Sequence, residues 1–382
     1  MIVIGPVLVL GFYDYFQTKR TIVRNFPLFG RGRYVMEALR PKIYQYFVES
    51  DVDGTRISRV FRNVIYQRAK GARDTVPFGT EFDVYSSGYE WMDHSLSALD
   101  AREMDHDLHV SVCGPDCKQP YWASILNISA MSFGALSRNA ILALNGGAKL
   151  GGFAHNTGEG SISPSHLDPG GDLIWQVGTG YFGCRTKDGS FCPESFSEKS
   201  QMESVKMIEI KLSQGAKPGL GGILPAAKIT PEISKIRGIP MGEDCISPSG
   251  HSAFCDADSM LDFVEHVAEA TGLPVGIKSA VGEMDLWHDL ARLTDITNRG
   301  LDFITIDGGE GGTGAGPLVF TDRVALPFKI GMSRVYRVFA ERGLHENVVF
   351  QGSAKLGFPE MTLFAFALGC DMIAVAREAM LS

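Results

Sequence analysis

The sequence predicts a (β/α)8 barrel preceded by a helical extension, and three observations lead to this prediction. From about residue 120 onward, short β-branched apolar runs alternate with stretches of helical spacing. Eight such units fit within ~250 residues, as a (β/α)8 barrel requires. One run, Phe303–Ile306, leads into a loop with six glycines between Gly308 and Gly316, where backbone is able to approach a ligand closely.

The predicted strands are short and apolar. They span Leu126–Met131, Gly152–His155, Leu173–Val177, Met207–Leu212, Val275–Ser279, Phe303–Ile306, Val348–Gln351 and Met372–Val375. Helices are predicted between several of them, at Arg138–Lys149, Ser259–Thr271, Asp285–Asn298, Arg334–Glu341 and Pro359–Leu368. The insert Pro225–Phe254, between strands four and five, is expected to cover one end of the barrel. The chain ends soon after strand eight, so we expect the last barrel helix to be truncated.

Three regions are predicted: an apolar segment over residues 1–16, a helical and loop extension over 17–119, and the barrel over 120–382. In the extension, Arg33–Val48 and Ser58–Lys70 have helical spacing and Gly71–Tyr85 has the composition of a loop. The apolar run Ile2–Phe12 is shorter than the roughly 20 residues that cross a bilayer. This run is either part of an anchor in the inner membrane, or a segment that packs on the body of the same protein in the cytoplasm.

Composition excludes several classes of function. The net charge of −8 and the pI near 5.6 argue against a nucleic-acid partner. The seven cysteines are scattered without a Cys-x-x-Cys pair, so neither a disulfide framework nor a metal site is predicted.

The residues that follow the predicted strands carry the candidate chemistry, because active sites of such barrels lie at the carboxyl ends of the strands. Small residues, Ala130, Met131 and Ser132, follow strand one and would let a flat ring rest on the backbone. A carboxylate flanked by glycines, Glu159, follows strand two. The remaining polar candidates on strands three to five and in their loops are Gln176, Lys211, Gln214, Lys217 and Lys278.

Three further features indicate ligand binding. The loop after strand seven offers Gly352, Ser353 and Lys355 to a phosphate. Lys211 and Lys217, with Gln214, would form a positive wall for a carboxylate substrate. A lysine on strand five is able to stabilise the charge of a reduced flavin ring.

Four motifs make a family resemblance specific: Asn127–Ser137, Asn156–Gly160, Lys211–Gly219 and Gly308–Ala315. Together they resemble the FMN-binding synthase domain of glutamate synthase, in order, from about Pro120 to the end. The N-terminal part, with Asp74–Thr80, is similar to the stand-alone members of this family, which have no glutaminase domain.

The resemblance implies that FMN lies across the barrel mouth and that Glu159, Gln214 and Lys217 are catalytic. It implies reductive amination of 2-oxoglutarate to L-glutamate through 2-iminoglutarate, with hydride from reduced FMN. The implied cofactor-binding residues are Ala130, Met131, Ser132, Gln176, Lys211, Lys278, Gly308, Gly309, Gly312, Thr313, Gly352, Ser353 and Lys355.

Partners follow from two departures from the family pattern. The chain begins Met1-Ile2 in place of a nucleophilic cysteine, so ammonia or an amidotransferase partner is expected to supply nitrogen. The family's iron–sulfur cysteines follow strand eight, where only Cys370 lies near, so a cluster is expected only in full-length relatives. Ferredoxin or an NAD(P)H reductase subunit is the expected electron donor.

Other functions stay open. Another FMN barrel, such as a hydroxy-acid oxidase or an isomerase, would favour a histidine near a late strand, and His251, His288 and His345 are not so placed. A related amino-transfer enzyme would make N-methylglutamate. A scaffold without turnover and a phosphosugar-binding barrel without flavin are the remaining alternatives.

Overall fold

The computed structural model describes residues 4–48, 54, 57–72, 78–114 and 117–382. The chain divides into two compact units, Met1–Val84 and Tyr85–Ser382. Residues 74–77 of the motif predicted at Asp74–Thr80 lie outside the described residues. The division predicted from the sequence, at residues 16 and 119, stays a prediction.

The first unit is helical, as the spacing of its apolar residues predicted. Its helices are α1 Ile4–Phe16, α2 Thr21–Asn25, α3 Gly30–Ile43, which continues as a π-helical turn Tyr44–Val48, and α4 Arg59–Ala69. The buried carboxylate of Asp14 joins α1 to α3 through the guanidinium of Arg31, 2.6 Å away, and also accepts the N–H of Leu28. These hydrogen bonds, chiefly that of Arg31, hold the pKa of Asp14 below its usual value.

The N-terminal apolar run forms α1, which has 13 residues. Across the part of the chain that the structure describes, no helix combines the length and the apolar character needed to cross a membrane.

The second unit is a closed barrel of eight parallel strands, which confirms the predicted fold class. Each strand pairs with its neighbour in sequence, and the eighth pairs with the first. The strands are β1 Leu126–Ile128, β2 His155–Asn156, β3 Leu173–Val177, β4 Val205–Lys211, β5 Val275–Ser279, β6 Phe303–Asp307, β7 Val349–Ser353 and β8 Met372–Val375.

Helices cover the outside of the barrel. They are α5 Arg138–Gly151, α6 Pro164–Leu167, α7 Pro193–Ser200, α8 Pro231–Arg237, α9 Ala257–Thr271, α10 Asp285–Ile296, α11 Leu318–Arg323, α12 Phe328–Ala340, α13 Pro359–Ala367 and α14 Arg377–Leu381. Local sequence sets their ends. Ser137 caps α5 by accepting the N–H of Ala140, and Gly152 ends it in the left-handed region. Asp256 and Ser259 form a capping box on α9, which ends at Gly272.

Two inserted pieces lie at opposite ends of the barrel. An antiparallel hairpin, His109–Val112 with Tyr121–Ser124, was not predicted, and the loop that joins its strands bonds to the carbonyl of Gly272 just before β5. The predicted insert reaches the other end, where Thr179 donates to the carbonyl of Pro248 at 2.7 Å. This contact confirms that the insert covers the mouth at the carboxyl ends of the strands.

Candidate functional site

Three polar residues predicted from two separate motifs meet at the mouth of the barrel. The ammonium nitrogen of Lys211, at the end of β4, lies 3.1 Å from Oε2 of Glu159 and 2.7 Å from Oε1 of Gln214. The side chains of Lys211 and Glu159 are only 12% and 18% exposed. Together with Lys217 and Arg237, we call these residues the carboxylate side of the mouth.

The charges on the carboxylate side keep Glu159 ionised. Burial by itself would raise the pKa of this carboxyl, but the positive charges of Lys211, Lys217 and Arg237 outweigh burial and lower the pKa. Burial lowers the pKa of Lys217, and Lys211 adds to the decrease while Glu159 opposes it. Three cations around one carboxylate leave an excess of positive charge at the mouth.

Close packing around Glu159 explains the glycines beside it in the sequence and in the neighbouring loops. A Cβ at Gly158, where φ is +65°, would lie 2.8 Å from the backbone nitrogen of Ser132. Across the site, a Cβ at Gly222 would lie 2.6 Å from Oε1 of Glu159, and one at Gly178 would lie 2.8 Å from its Cβ. The carboxylate is therefore enclosed by backbone from three loops.

A buried ion pair lies on the neighbouring strands. Lys278 of β5 is 3.7 Å from Asp307 of β6, and both side chains are almost fully buried. The other oxygen of Asp307 accepts the N–H of Gly215 at 2.8 Å. A Cβ at Gly215 would overlap the carbonyl of Gly308, so the loops after β4 and β6 touch through glycine.

The glycine-rich loop after β6 is only partly open to a ligand. The N–H groups of Gly308 and Gly309 already donate to the carbonyls of Ser353 and Leu326. Within the described ranges of the chain, the N–H groups of Gly312 and Thr313 have no acceptor. The assignment of Gly308 and Gly309 to a cofactor stays a prediction, and the later half of the loop is better placed for an anion.

The loop after β7 lies beside the glycine-rich loop and contains two residues with strained backbone conformations. Ala354 and Lys355 have φ of +153° and +52°, conformations that side chains other than glycine rarely adopt and that cluster at ligand sites. Burial lowers the pKa of Lys355, and the positive charge of Arg377 lowers it further. We call Gly312, Thr313, Ser353 and Lys355 the glycine-loop side of the mouth.

Gly352 has a structural reason to be glycine that the sequence did not reveal. A Cβ there would lie 2.8 Å from Phe328 and Leu356 and 3.1 Å from the sulfur of Cys370. That position faces the packed core outside the barrel. Its cofactor-binding role stays a prediction that only its backbone could fulfil.

The remaining predicted residues border the interior. Ala130 and Ser132 are partly exposed after β1, whereas Met131 is buried and its carbonyl lies 3.1 Å from Nε2 of His166. Gln176 is buried inside the barrel, where its amide nitrogen lies 2.6 Å from Glu209. The structure thus brings the catalytic candidates together, while Gln176 contacts a carboxylate that the sequence did not single out.

A model of the conserved region in glutamate synthase matches residues 90–382. The chain belongs to the glutamate synthase family. The family predicted from the four motifs is confirmed, and with it the prediction of a glutamate synthase-type oxidoreductase at the level of the family.

Curated relatives agree with this assignment. The chain is 32% identical to the glutamate synthase large subunit-like protein YerD of Bacillus subtilis, over 97% of this chain and 77% of that protein. It is 36% identical to the archaeal glutamate synthase [NADPH] of Methanocaldococcus jannaschii, over 67% of this chain and 47% of the relative. This glutamate synthase family chain thus spans about half the length of the archaeal-type relatives.

Solved structures give only distant matches. A mandelate oxidase variant with 2-hydroxy-phenylacetamide has a TM-score of 0.41 at 18% identity, over 71% of this chain and 70% of that chain. A flavocytochrome b2 variant with pyruvate bound has a TM-score of 0.43 at 13% identity, over 71% and 62%. These likenesses are too distant to assign chemistry to the glutamate synthase family chain.

Sequence reasoning missed one cation of the site. Arg237 ends α8 in the insert, is 6% exposed, and donates from Nη2 to the carbonyl of Phe133 at 2.9 Å. A Cβ at Gly160 would lie 2.9 Å from that nitrogen. The sequence predicted only that the insert covers one end of the barrel. The helical run Pro231–Arg237 within the insert is the feature that could have located this arginine.

His251 of this family member is engaged in the fold. Nε2 of His251 lies 2.9 Å from the carbonyl of Lys211, and Nδ1 lies 3.0 Å from the hydroxyl of Tyr181. Burial lowers the pKa of His251 to about 4. His251 therefore fastens the insert to β4 through both of its ring nitrogens.

Proposed function

We propose that the protein catalyses the FMN-dependent reductive amination of 2-oxoglutarate to L-glutamate through 2-iminoglutarate. The observation that carries this proposal is the carboxylate side, where Lys211, Lys217 and Arg237 surround the single carboxylate of Glu159. The positive charges exceed the negative charge by two. A dicarboxylate substrate would balance this excess, because charge complementarity favours a ligand of opposite sign.

The glycine-loop side fits the phosphate of FMN. The N–H groups of Gly312 and Thr313, the hydroxyl of Ser353 and the ammonium of Lys355 would hold the phosphate. Lys278, buried beside Asp307, would lie near the ring. When bound, FMN would supply the hydride that reduces the imine carbon.

The residues of the carboxylate side would divide the remaining work. Lys217 would bind a substrate carboxylate. Glu159 is ionised because its pKa is lowered, so it is able to accept a proton from the attacking nitrogen nucleophile. Gln214 would hold the ammonium of Lys211 against Glu159, as the 2.7 Å contact supports.

Partners belong to the same proposal. Ammonia or an amidotransferase partner would supply the nitrogen, and ferredoxin or an NAD(P)H reductase subunit would supply electrons. The names of the archaeal-type relatives carry NADPH, which favours the second donor. Methylamine at the same site would yield N-methylglutamate, so the assay includes both amines.

The test is 2-oxoglutarate-dependent reoxidation of the reduced enzyme with ammonium or, in parallel, with methylamine, compared for Lys217→Ala and Lys228→Ala. Lys228 is exposed in the insert and serves as the matched control. We expect Lys217→Ala to raise KM for 2-oxoglutarate about tenfold or more while the flavin stays bound, because a hydrogen bond to a charged group is worth about 1.5–3 kcal/mol. Turnover equal to that of Lys228→Ala would refute the role of Lys217.

A further inference from the structure

A second carboxylate lies deeper in the barrel. Glu209, two residues before Lys211 on β4, is fully buried. Its Oε1 accepts hydrogen bonds from Asn156 at 2.8 Å and Gln176 at 2.6 Å, and its Oε2 accepts one from Thr305 at 2.8 Å. Donors from β2, β3 and β6 therefore converge on one side chain, in a place where most barrels of this class hold branched apolar residues.

The number of hydrogens fixes the direction of this network. The hydroxyl of Thr305 lies 2.8 Å from Glu209 and 2.9 Å from the amide of Gln351, but it has one hydrogen to donate. If the amide of Gln351 turns its nitrogen toward Thr305, the conflict disappears, and this nitrogen gains the partner that it otherwise lacks. Each hydrogen bond of the network is then donated in the direction of Glu209, which is the final acceptor.

This direction determines how Asn156 faces the mouth. Because Glu209 takes the amide nitrogen of Asn156, the amide oxygen must face away from Glu209. That oxygen accepts the N–H of Gly158 at 3.0 Å, directly before Glu159. On the other side of Gly158, an added Cβ would lie 2.8 Å from the backbone nitrogen of Ser132, so there is no space for a side chain there.

We propose that Glu209 is a positioning residue for Glu159. It orients the amide of Asn156, which holds Gly158 and so places Glu159 beside Lys211. The catalytic consequence of this proposal rests on the function proposed above. The positioning itself does not depend on that function and is measured without turnover.

The experiment measures hydrogen exchange of the Gly158 amide in the full chain with FMN added, together with kcat and KM. We expect Glu209→Leu to speed this exchange about tenfold, because the acceptor at Asn156 is no longer fixed, and to lower kcat more than it raises KM. Glu209→Gln should stay within about threefold of wild type in both readouts. The new side-chain carbonyl is still able to accept hydrogen bonds from Asn156 and Gln176, while the new amide nitrogen faces Thr305.

Thr305→Val is the matched control, because it removes a donor to Glu209 on the arm that does not reach Asn156. We expect no change in the exchange of Gly158. A folded Glu209→Leu with unchanged Gly158 exchange would overturn the proposal, as would an equal increase in Thr305→Val or an increase spread over all barrel strands. If Glu209→Leu does not fold, Glu209→Gln decides: retained protection supports the proposal, and a tenfold loss overturns it.

The two proposals fail in different ways. Wild-type protein that protects Gly158 as expected but does not turn over 2-oxoglutarate would refute the proposed function and leave the positioning intact. Normal turnover with Gly158 exchange indifferent to Glu209 would refute only the positioning.

Discussion

The two sides of the barrel mouth are built by different means. On the carboxylate side, charged side chains from β4 and the loops after β2 and β4 contact one another, with Lys211 held between Glu159 and Gln214. On the glycine-loop side, the backbone N–H groups of Gly312 and Thr313 have no acceptor within the described part of the chain, and we propose that they bind the phosphate. The first arrangement is suited to binding and proton transfer on a small anion, and the second to holding a phosphate.

Because of this difference, we expect the two sides to respond to different kinds of substitution. We expect single substitutions of the charged side chains on the carboxylate side to leave the backbone unchanged. The glycine-loop side depends on conformations such as that of Lys355, where φ is +52°. The two sides meet where Gly215 touches the carbonyl of Gly308, so they are adjacent but chemically separable. The predictions that follow test this separation.

The largest effect is expected from Glu159→Gln. This change removes the negative charge that lies among Lys211, Lys217 and Arg237, and with it the proposed proton acceptor. We expect kcat to fall about 10²–10⁴-fold, as for loss of a general base, while the flavin spectrum is kept. Glu232→Gln, an exposed carboxylate on α8, should match wild type. Activity of Glu159→Gln within threefold of wild type would remove Glu159 from the chemistry.

A smaller effect, on the other side, is expected from Lys355→Ala. Loss of one ammonium from a phosphate site should weaken FMN binding about tenfold or more, since a charge-assisted hydrogen bond is worth about 1.5–3 kcal/mol. KM for 2-oxoglutarate in FMN-saturated protein should not change. Fluorescence titration of the apoprotein with FMN measures the first quantity, with Lys235→Ala as an exposed control. A shift in KM without a shift in FMN affinity would reverse the assignment of the two sides.

Sequence predicted the barrel well because its strands are buried on both faces and therefore form continuous apolar runs. Leu173–Val177, Val275–Ser279 and Met372–Val375 match the observed strands residue for residue. Predicted helix ends differ by a few residues where caps decide them, as at Asp256, which starts α9 two residues early. The helix predicted from Arg334 begins at Phe328, because Pro327 precedes it and starts the turn.

The site was predicted only where its residues follow strands directly. Glu159, Lys211, Gln214 and Lys217 follow β2 or lie at the end of β4, so topology alone brings them together. Arg237 comes from an insert whose path the strand pattern does not specify.

Glu209 was hidden for a different reason. In the run Val205–Lys211 its carboxylate looks like an interruption of a buried strand, and its donors lie on other strands. Long-range hydrogen bonds of this kind have no local signature.

The smallest expected effect is on the pH dependence of stability, and it involves three buried histidines. His155, His166 and His251 lie in β2, in α6 after it, and in the insert. Burial lowers their pKa values to about 3, 4 and 4, from 6.5. In the unfolded chain they take up protons below pH ~6.5, but in the fold they do not until near pH 4. Stability is therefore highest above pH 6.5 and falls as the pH decreases.

For His251 alone, the expected loss of unfolding free energy between pH 7 and 5 is about 1–2 kcal/mol. Denaturant titrations at the two pH values measure this loss, and His251→Gln should reduce it, since the amide still reaches the carbonyl of Lys211. An equal loss in wild type and variant would show that His251 does not contribute.

The most direct test of the account is the visible absorption spectrum of the FMN-reconstituted protein, recorded before and after addition of 2-oxoglutarate. We predict flavin bands that shift saturably with 2-oxoglutarate in wild type and in Lys228→Ala, and a shift in Lys217→Ala that requires about tenfold or more 2-oxoglutarate. This result would place substrate and flavin in one mouth with separate binding sides. A protein that does not retain FMN, or a flavin spectrum indifferent to 2-oxoglutarate, would contradict the account.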